Sequence, residues 1–416
     1  MRLSAFGQKF SGHSGIVQLM DDLGKAMAEN DNMLMLGGGN PSHIPEVQEI
    51  FHRELSKIVD NKPELNALLG NYDGPEGEVR FREYLASLLR KEYSWDLSAD
   101  NICLTHGSQS AFFALMNMLA GKTADGKSSK ILLPLIPEYI GYTDQGIDNS
   151  FFETVKPKLE EFDDNSFKYR VDFDALKLSE EIAAICVSRP TNPTGNVLTD
   201  NEIDQLDKLA KKHEIPLIID NAYGLPFPDI IFAEAKPVWN RNIILCMSLS
   251  KLGLPGARTG IVIADKSYIR ALSNINSILS LSPGSCGAAI ARDLVKTGEI
   301  MSMSRDIVKP YYESKAKKAL ANIKKDFKGL NYAVHKAEGA LFLWLWFKDL
   351  PISSYELYKR LKEKDVLVVS GHYFFFDKIE DWPHSRQCIR MTYSMDESVV
   401  KKAIKIIADE VKSLCK

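Results

Sequence analysis

The segment SLSKLGLPGARTG, residues 248–260, separates two apolar runs and contains the most distinctive group of polar residues in the chain. The run NIILCMS, residues 242–248, precedes it, and the run GIVIA, residues 260–264, follows it. Short continuous apolar runs of this kind are typical of strands buried on both faces. The segment is therefore predicted to begin at the end of a buried strand, which is where open α/β sheets bind their ligands.

Lys251 is the amine at the centre of this segment. Ser248 and Ser250 place hydroxyls beside it, and Arg258 adds a guanidinium. This combination suits a phosphate monoester, because arginine can bind such an anion through two parallel hydrogen bonds. A lysine in a turn is often an ordinary surface residue, so Lys251 becomes a candidate only together with its neighbours.

Similar apolar runs recur upstream and alternate with segments in which apolar residues have helical spacing. These runs are NICLT (101–105), KILLPL (130–135), AAICVS (183–188) and PLIID (216–220). Strands that alternate with helices predict an α/β fold with a mainly parallel central sheet covered by helices.

The pattern changes after about residue 287, where a long helical stretch, expected to bend at Pro310, precedes three more strands and a C-terminal helix. We predict a large domain over residues 50–310 and a smaller α+β domain over residues 1–49 and 311–416. Residues 160–166 are polar and are predicted to be a surface loop.

Polar residues follow two of the upstream strands. Asp220 ends the run PLIID, and Tyr223 comes three residues later. A carboxylate at the end of an apolar run needs a partner, although a helix N-cap would also explain it. Asn192 lies in the turn SRPTNPTGN after another strand, where the prolines and Gly195 alone could account for a tight loop.

Two further segments are candidates for binding anions. In THGSQSAF, residues 105–112, a strand runs through Gly107, Ser108 and Gln109 into a helix, and amides at a helix N-terminus bind anions. In QCIRMTY, residues 387–393, Arg390 interrupts an apolar strand. A buried arginine is costly unless it meets an anion, which a ligand or a structural salt bridge could supply.

Together these segments resemble the class I and II aminotransferases, which are enzymes of fold type I that depend on pyridoxal 5′-phosphate (PLP). The resemblance covers nearly the whole chain and implies the fold of that family. It implies that Lys251 holds the cofactor covalently and is the catalytic base, and that Asp220 pairs with the pyridine nitrogen. Asn192 and Tyr223 would bond the ring oxygen O3′. The residues implied to bind the phosphate are Gly107, Ser108, Gln109, Ser248 and Arg258, with Ser250 contributing less directly.

The resemblance assigns roles to further residues. Tyr139 in PEYIGY would stack on the pyridine ring, and Arg390 would bind the α-carboxylate of the substrate. Gly39, beside Asn40 in LGGGNP, would place its backbone near the substrate. Tyr72 in NYDGPEG would reach the cofactor phosphate of a neighbouring subunit, which implies a homodimer. Core packing could also explain Tyr139, and a turn could explain Tyr72.

The substrate is predicted to carry a neutral aliphatic side chain. Relatives specific for dicarboxylates use a second cation near the stretch that matches residues 277–284, and this chain has no Lys or Arg between Arg270 and Arg292. A buried side-chain carboxylate would lack its partner there. Segments such as LGGGNPSHIPE and FLWLWFKDLP resemble the members of the family that exchange an amino group between valine or 2-aminobutyrate and pyruvate.

The substrate pocket is less sharply indicated. Ile16, Tyr139, His372 and Phe374 are its candidates, and core packing would explain each of them as well. The loop of residues 370–382 departs from the proline-rich loop expected near the substrate.

Composition excludes several other functions. The chain has 416 residues and a formal charge of −3, which gives no strong field for nucleic acid or anionic lipid. No apolar run approaches the length of a membrane span, and the start lacks the pattern of a signal peptide. The six cysteines form no C-x-x-C pair, and the eight histidines show no metal-ligand spacing. We therefore expect a cytoplasmic protein with reduced thiols and no metal.

Three other functions are compatible with parts of this pattern. A C–S β-lyase of the same fold would use the same cofactor residues, so the sequence separates it poorly from an aminotransferase. A PLP-binding transcription regulator would need a DNA-binding domain, and the resemblance begins almost at Met1. A nucleotide-dependent dehydrogenase would rest on α/β architecture alone, without a strand–GxGxxG–helix unit.

Overall fold

The computed structural model describes residues 2–12, 14–29, 32–376 and 382–415. The helices are α1 Ala5–Phe10, α2 Gly15–Glu29, α3 Pro45–Asp60, α4 Lys62–Gly70, α5 Val79–Tyr93, α6 Ser108–Leu119, α7 Asp200–Lys212, α8 Lys266–Ser280, α9 Cys286–Thr297, α10 Glu299–Met303, α11 Lys309–Asp326, α12 Ser354–Lys362 and α13 Glu397–Leu414. The strands are β1 Leu34–Met35, β2 Ile102–His106, β3 Gly121–Lys122, β4 Ser128–Leu133, β5 Phe152–Thr154, β6 Lys158–Glu161, β7 Ser166–Arg170, β8 Ile182–Ser188, β9 Leu217–Asp220, β10 Ile243–Ser248, β11 Thr259–Ile263, β12 Tyr332–His335, β13 Phe342–Phe347, β14 Val366–Leu367, β15 Val369–Ser370 and β16 Cys388–Thr392.

The larger sheet has the order β2-β11-β10-β9-β8-β4-β3, with β5 paired to β4. Strands β4, β8, β9 and β10 run parallel, and β11 is antiparallel to both of its neighbours, β10 and β2. The carboxyl ends of β2, β8, β9 and β10 therefore lie at one edge, together with the start of β11. The predicted α/β fold with a mainly parallel sheet is confirmed, and it brings the candidate segments to that edge.

A second sheet has the order β15-β16-β13-β12-β7-β6. Strands β6 and β7 pair antiparallel, and β7 pairs parallel with β12. The prediction of a surface loop over residues 160–166 was therefore wrong in part, because these residues form the end of β6, a turn and the start of β7. Both strands lie inside the range 50–310, which was predicted for the large domain, yet they pair with strands of the second sheet. The predicted domain boundaries stay a prediction.

Local sequence explains where the main helices begin and which face they bury. Helix α7 starts with a capping box in which the Thr199 hydroxyl and the Glu202 carboxylate bind each other's backbone amides. Helix α13 buries Ile404, Ile407 and Val411, as its apolar spacing predicts, whereas Val399 is only partly buried.

A π-helical turn directly precedes Pro310, the residue at which the sequence predicts a bend. Residues Ser304–Val308 are π-helical, and Pro310 lies in the first turn of α11 directly after them. Proline lacks an amide hydrogen and clashes with the carbonyl four residues earlier, so the wider turn relieves the crowding.

Candidate active site

A cavity of about 640 Å³ opens at the carboxyl edge of the larger sheet. Its size is ordinary for a site that binds a cofactor and a small substrate. Most of the residues selected from the sequence line it, namely Gly39, Asn40, Ser108, Gln109, Tyr139, Asn192, Asp220, Tyr223, Ser248, Ser250, Lys251, Arg258 and Arg390. The fold thus brings together residues that are up to about 350 positions apart in the sequence, such as Gly39 and Arg390.

The amine of Lys251 lies inside this cavity. Its Nζ donates a hydrogen bond of 2.5 Å to the Gly39 carbonyl and lies 5.3 Å from the centre of the Tyr223 ring. Burial, followed by the nearby charges of Arg390 and Arg258, lowers the pKa of Lys251 to about 8. At pH 7 an amine with this pKa is neutral in about one tenth of the molecules, far more than an ordinary lysine, and the neutral form is the one that accepts a proton.

The carboxylate of Asp220 is fixed at the end of β9. Its Oδ2 accepts a hydrogen bond of 2.6 Å from the Tyr142 hydroxyl, and its Oδ1 accepts one of 3.0 Å from the amide of Ala222. Burial raises the pKa of Asp220, and these donors together with the charge of Lys251 oppose that rise. Residues 221–224 form a turn rather than an α-helix, so Asp220 is not the N-cap of a helix.

An anion-binding corner forms where β2 meets α6. The first residue of α6 is Ser108, and Gly107 precedes it with a φ of 81°. A Cβ atom on Gly107 would collide with the Arg258 guanidinium, so glycine is required for arginine to pack against this turn. Arg258 Nη1 lies 3.4 Å from the Ser250 hydroxyl. Amides, hydroxyls and a guanidinium converge here, which is the chemistry that a phosphate needs.

Arg390 is 3% exposed, and its guanidinium faces the cavity. Nη1 donates to Asn192 Oδ1 at 2.7 Å, and Nη2 donates to the Gly37 carbonyl at 2.6 Å. Its Nε is buried and has no hydrogen-bond partner among the described residues. Its Cζ lies 4.1 Å from the centre of the Phe342 ring. No carboxylate neutralises Arg390 within the described residues, so a structural salt bridge does not explain it. Burial lowers its pKa to about 10, which leaves it charged at neutral pH.

Some candidates lie away from the cavity lining. Tyr72 is 83% exposed on the surface. Among the pocket candidates, Ile16 and Tyr139 line the cavity, whereas His372 and Phe374 do not. Phe374 instead packs near Arg390, with its ring centre 5.3 Å from Arg390 Cζ. Within the loop of residues 370–382, residues 377–381 lie outside the described part of the chain.

The structure adds three polar residues behind Asp220 that the sequence did not single out, namely Glu138, Tyr142 and Ser188. Tyr142 binds Asp220, and Ser188 binds Glu138. Glu138 is 2% exposed and is the one charged residue in the otherwise largely apolar stretch of residues 131–142. A carboxyl group in such a stretch is the signal that could have found it.

The residues present fit PLP, the cofactor that the resemblance implies. An amine that can become neutral, a buried carboxylate and an anion-binding corner line one cavity. The unpartnered Nε of Arg390 leaves a donor for a further anion, such as a substrate carboxylate.

The described residues show neither a metal centre nor a membrane-spanning helix. No group of three or more His, Cys, Asp or Glu side chains there is arranged to hold a metal ion. Among the same residues, no helix is long and apolar enough to cross a membrane.

Comparisons with known proteins agree with this geometry. Residues 52–407 match the family "Aminotransferase class I and II". The chain is 49% identical to the valine–pyruvate aminotransferase of Escherichia coli K12 over 411 residues, which cover 99% of this chain and 98% of that protein. The solved valine–pyruvate aminotransferase AvtA of Salmonella typhimurium LT2 is 48% identical, with a TM-score of 0.88 over 96% of this chain and 99% of that one. A Psychrobacter arcticum protein with the provisional description of an amino-acid aminotransferase is 45% identical, with a TM-score of 0.97 over 100% of this chain and 99% of that one. The chain therefore belongs to the class I and II aminotransferases, which are PLP-dependent enzymes of fold type I.

Proposed function

We propose that this enzyme exchanges an amino group between a neutral aliphatic amino acid, such as valine or 2-aminobutyrate, and pyruvate, giving alanine and a 2-oxo acid. The observation that carries the proposal is the position of Lys251, Asp220 and Arg390 in one cavity. Relatives at 49% and 48% identity are named for the valine–pyruvate reaction, which supports this choice of substrates.

We assign the proton transfers to Lys251. When bound, PLP supplies an electron sink that makes the Cα–H bond of an amino acid acidic. With PLP bound, Nζ of Lys251 would take the proton from the substrate Cα and would deliver it to the cofactor carbon C4′. Accepting the proton requires the neutral amine that burial and two nearby cations favour. Because one cavity serves both half-reactions, the first oxo acid leaves before pyruvate binds, and the kinetics are ping-pong.

We assign binding and orientation to the other residues. Arg390 holds the substrate carboxylate, and this contact fixes the direction of the Cα–H bond. Asp220 holds the ring nitrogen, and Asn192 and Tyr223 hold the ring oxygen. The phosphate group is bound by the residues of the anion-binding corner, Gly107, Ser108, Gln109, Ser248 and Arg258, with Ser250 beside them. Tyr139 stacks on the ring, and Gly39 contacts the substrate through its backbone.

The lining of the cavity supports a neutral side chain. Ile16, Leu19, Met20 and Met35 provide apolar surface beside the polar residues. The cations in the described lining are Lys251, Arg258 and Arg390, and each already has a role. A second carboxylate on the substrate would be buried without a cation, which is unfavourable.

The direct test is to incubate the PLP-loaded enzyme with L-valine and pyruvate and to measure alanine, 2-oxoisovalerate and ammonia. We expect equal amounts of alanine and 2-oxoisovalerate, and kcat/KM for valine at least roughly 100-fold above that for aspartate. Release of ammonia without alanine would indicate a lyase instead. Equal rates with valine and aspartate would contradict the proposed specificity.

We also propose that the enzyme is a cytoplasmic homodimer in which Tyr72 completes the partner's site. Exposed apolar side chains lie on α4, on the loop after it and at the end of α8, namely Leu69, Tyr72, Ile278, Leu279 and Leu281. The two regions are joined by a hydrogen bond of 2.9 Å from Asn276 Nδ2 to the Pro75 carbonyl. A second copy that covers this surface would remove it from water and would explain why Tyr72 is exposed in one chain.

A further inference from the structure

Residues 36–42, with the sequence LGGGNPS, form neither helix nor strand, and we call them the glycine segment. Two of its carbonyls nevertheless meet the cations of the cavity. The Gly37 carbonyl accepts a hydrogen bond of 2.6 Å from Arg390 Nη2, and the Gly39 carbonyl accepts one of 2.5 Å from Lys251 Nζ. Glycine has more backbone freedom than any other residue, so three glycines in a row hold these carbonyls in place only if the segment is anchored from outside.

The anchors come from β16 and the two residues after it. The Thr392 amide donates to the Leu36 carbonyl at 2.8 Å, and the Ser394 hydroxyl donates to the Asn40 carbonyl at 2.9 Å. Together with Arg390, these are every second residue of one extended stretch, which places their contacts on the same side of it. Thr392 and Arg390 thus hold the front of the glycine segment, and Ser394 holds its rear.

Ser394 is well fixed for this task. It is 5% exposed, and its amide donates to Thr392 Oγ1 at 3.2 Å. Its carbonyl accepts hydrogen bonds of 2.5 Å from the Ser42 hydroxyl and 3.1 Å from Lys315 Nζ. The hydroxyl that binds Asn40 therefore belongs to a residue whose backbone is bonded on both sides.

Asn40 connects this anchor to the Gly39 carbonyl. Pro41 follows Asn40, and a residue before proline is restricted to extended conformations. Fixing the Asn40 carbonyl therefore also fixes the preceding peptide group, to which the Gly39 carbonyl belongs. A Cβ atom on Gly39 would lie 3.6 Å from Lys251 Nζ, so this peptide group directly faces the amine.

We propose that Ser394 is a positioning residue for the amine of Lys251 and acts through Asn40 and the Gly39 carbonyl. The proposal deepens the proposed function and rests on it, because it assumes that Nζ takes and returns the Cα proton. A neutral amine has two hydrogens and one lone pair. Donation of one hydrogen to the Gly39 carbonyl restricts the directions in which the lone pair points, so the amine meets the substrate Cα in a fixed orientation.

The first experiment follows the half-reaction with L-valine in a single turnover, by stopped-flow absorbance of the PLP-loaded enzyme. In Ser394→Ala we expect the rate constant at saturating valine to fall about tenfold, because the proton acceptor is less well oriented. The valine concentration that gives half of this rate should stay unchanged, since Arg390 keeps its contacts with Asn192 and Gly37. With valine deuterated at Cα, the isotope effect should be at least as large as in the wild type. Partial unfolding of the variant would lower the amplitude of the reaction and leave its rate constant unchanged.

Three further variants complete this experiment. Ser394→Cys keeps a weaker donor of similar shape and should lie between the wild type and Ser394→Ala. Ser42→Ala removes the bond to the Ser394 carbonyl and should lower the rate constant by less than Ser394→Ala does. Ser304→Ala is the matched control, because it removes a buried hydroxyl that donates to the Ile300 carbonyl at 2.8 Å away from the cavity lining, and it should change nothing. An unchanged rate constant in Ser394→Ala, or a smaller isotope effect, would overturn the proposal.

The second experiment measures the anchor without any turnover. Hydrogen exchange of the peptide that covers residues 36–42 is followed by mass spectrometry in the PLP-free wild type and in PLP-free Ser394→Ala. We expect the amide of Ser42, which donates to the Tyr312 hydroxyl at 2.7 Å, to exchange about tenfold faster in the variant. Equal exchange in the two proteins would overturn the proposal. A wild-type enzyme that does not react with valine would instead refute the proposed function, and the exchange measurement separates these two failures because it needs no reaction.

Discussion

At the residue scale, Arg390 is a buried charge whose surroundings favour the carboxylate-binding role proposed for it. Asn192 and Gly37 satisfy two of its nitrogens, and Nε remains without a partner among the described residues. Full burial of a charged group without a countercharge is costly in free energy, so binding of an anion beside Arg390 is favourable. A carboxylate that binds there gains a charge-assisted contact in a site that water does not screen.

Arg390→Lys is therefore expected to lower kcat/KM for valine by roughly 100-fold, because lysine keeps the charge but cannot form the planar, bidentate contact. Steady-state kinetics of alanine formation would measure this loss. Arg241→Lys changes an exposed arginine that pairs with Asp96 and should leave kcat/KM unchanged. A loss of less than threefold in Arg390→Lys would contradict the assigned role.

The sequence predicted Lys251, Asp220 and Arg390 as candidates because each stands out against an apolar run. It did not predict Tyr142 or Ser188, because their hydroxyls gain meaning only from partners that the fold supplies. The Tyr142 hydroxyl donates a hydrogen bond to Asp220, which lies 78 positions away in the sequence. No local pattern carries that information.

At the element scale, the polar hairpin of β6 and β7 joins the second sheet to the turn that contains Asn192. Lys168 on β7 pairs with Glu338 and donates to the Val197 carbonyl at 2.9 Å. The amide of Val197 donates to Glu338 Oε2 at 3.0 Å. Most of the residues of this hairpin are polar or charged, which is why the sequence favoured a loop. Pairing with β12, far along the chain, makes the segment a strand despite its low apolar content.

Glu338→Gln is expected to lower the free energy of unfolding by about 3 kcal/mol, because Lys168 would remain buried without a countercharge. Denaturant titration followed by circular dichroism would measure the change. Glu161→Gln breaks an exposed ion pair with Lys348 and should cost less than about 1 kcal/mol. Adding Lys168→Met to Glu338→Gln should recover part of the loss, and no recovery would argue against the ion pair as the cause.

At the scale of the whole molecule, stability should depend on pH through buried histidines. Burial lowers the pKa of His335 to about 3 and that of His384 to about 3. In the unfolded chain both would titrate near about 6.5. Above that pH neither the folded nor the unfolded state binds these protons, so the histidines add no pH dependence to the free energy of unfolding. Below it the unfolded chain binds protons that the folded protein excludes, and stability falls.

We expect the free energy of unfolding to decrease by about 1.4 kcal/mol per pH unit for each histidine as the pH falls from about 6.5 towards about 4. Urea titrations at several pH values would measure the slope. His335→Gln should reduce the slope, whereas His52→Gln, at an exposed position, should leave it unchanged. An equal slope in wild type and His335→Gln would contradict this prediction.

The proposed dimer makes a separate prediction at the same scale. Lys251→Ala chains and Tyr72→Ala chains are each expected to have low activity. A mixed dimer would contain one site with both Lys251 and a Tyr72 from the other subunit. Mixing the two variants after mild dissociation should therefore restore up to about a quarter of wild-type activity, since half of the dimers are mixed and each has one intact site. No recovery on mixing, or an active monomer in sedimentation, would contradict the proposed role of Tyr72.

Mass mapping after borohydride reduction would show whether Lys251 holds PLP covalently, as the assigned roles require. Reduction fixes the cofactor to its lysine, and proteolysis followed by mass spectrometry locates the added mass. We expect the peptide that contains Lys251 to carry this mass and Lys251→Ala to abolish the modification. Cofactor found on another lysine of the native enzyme, or on none, would contradict the account.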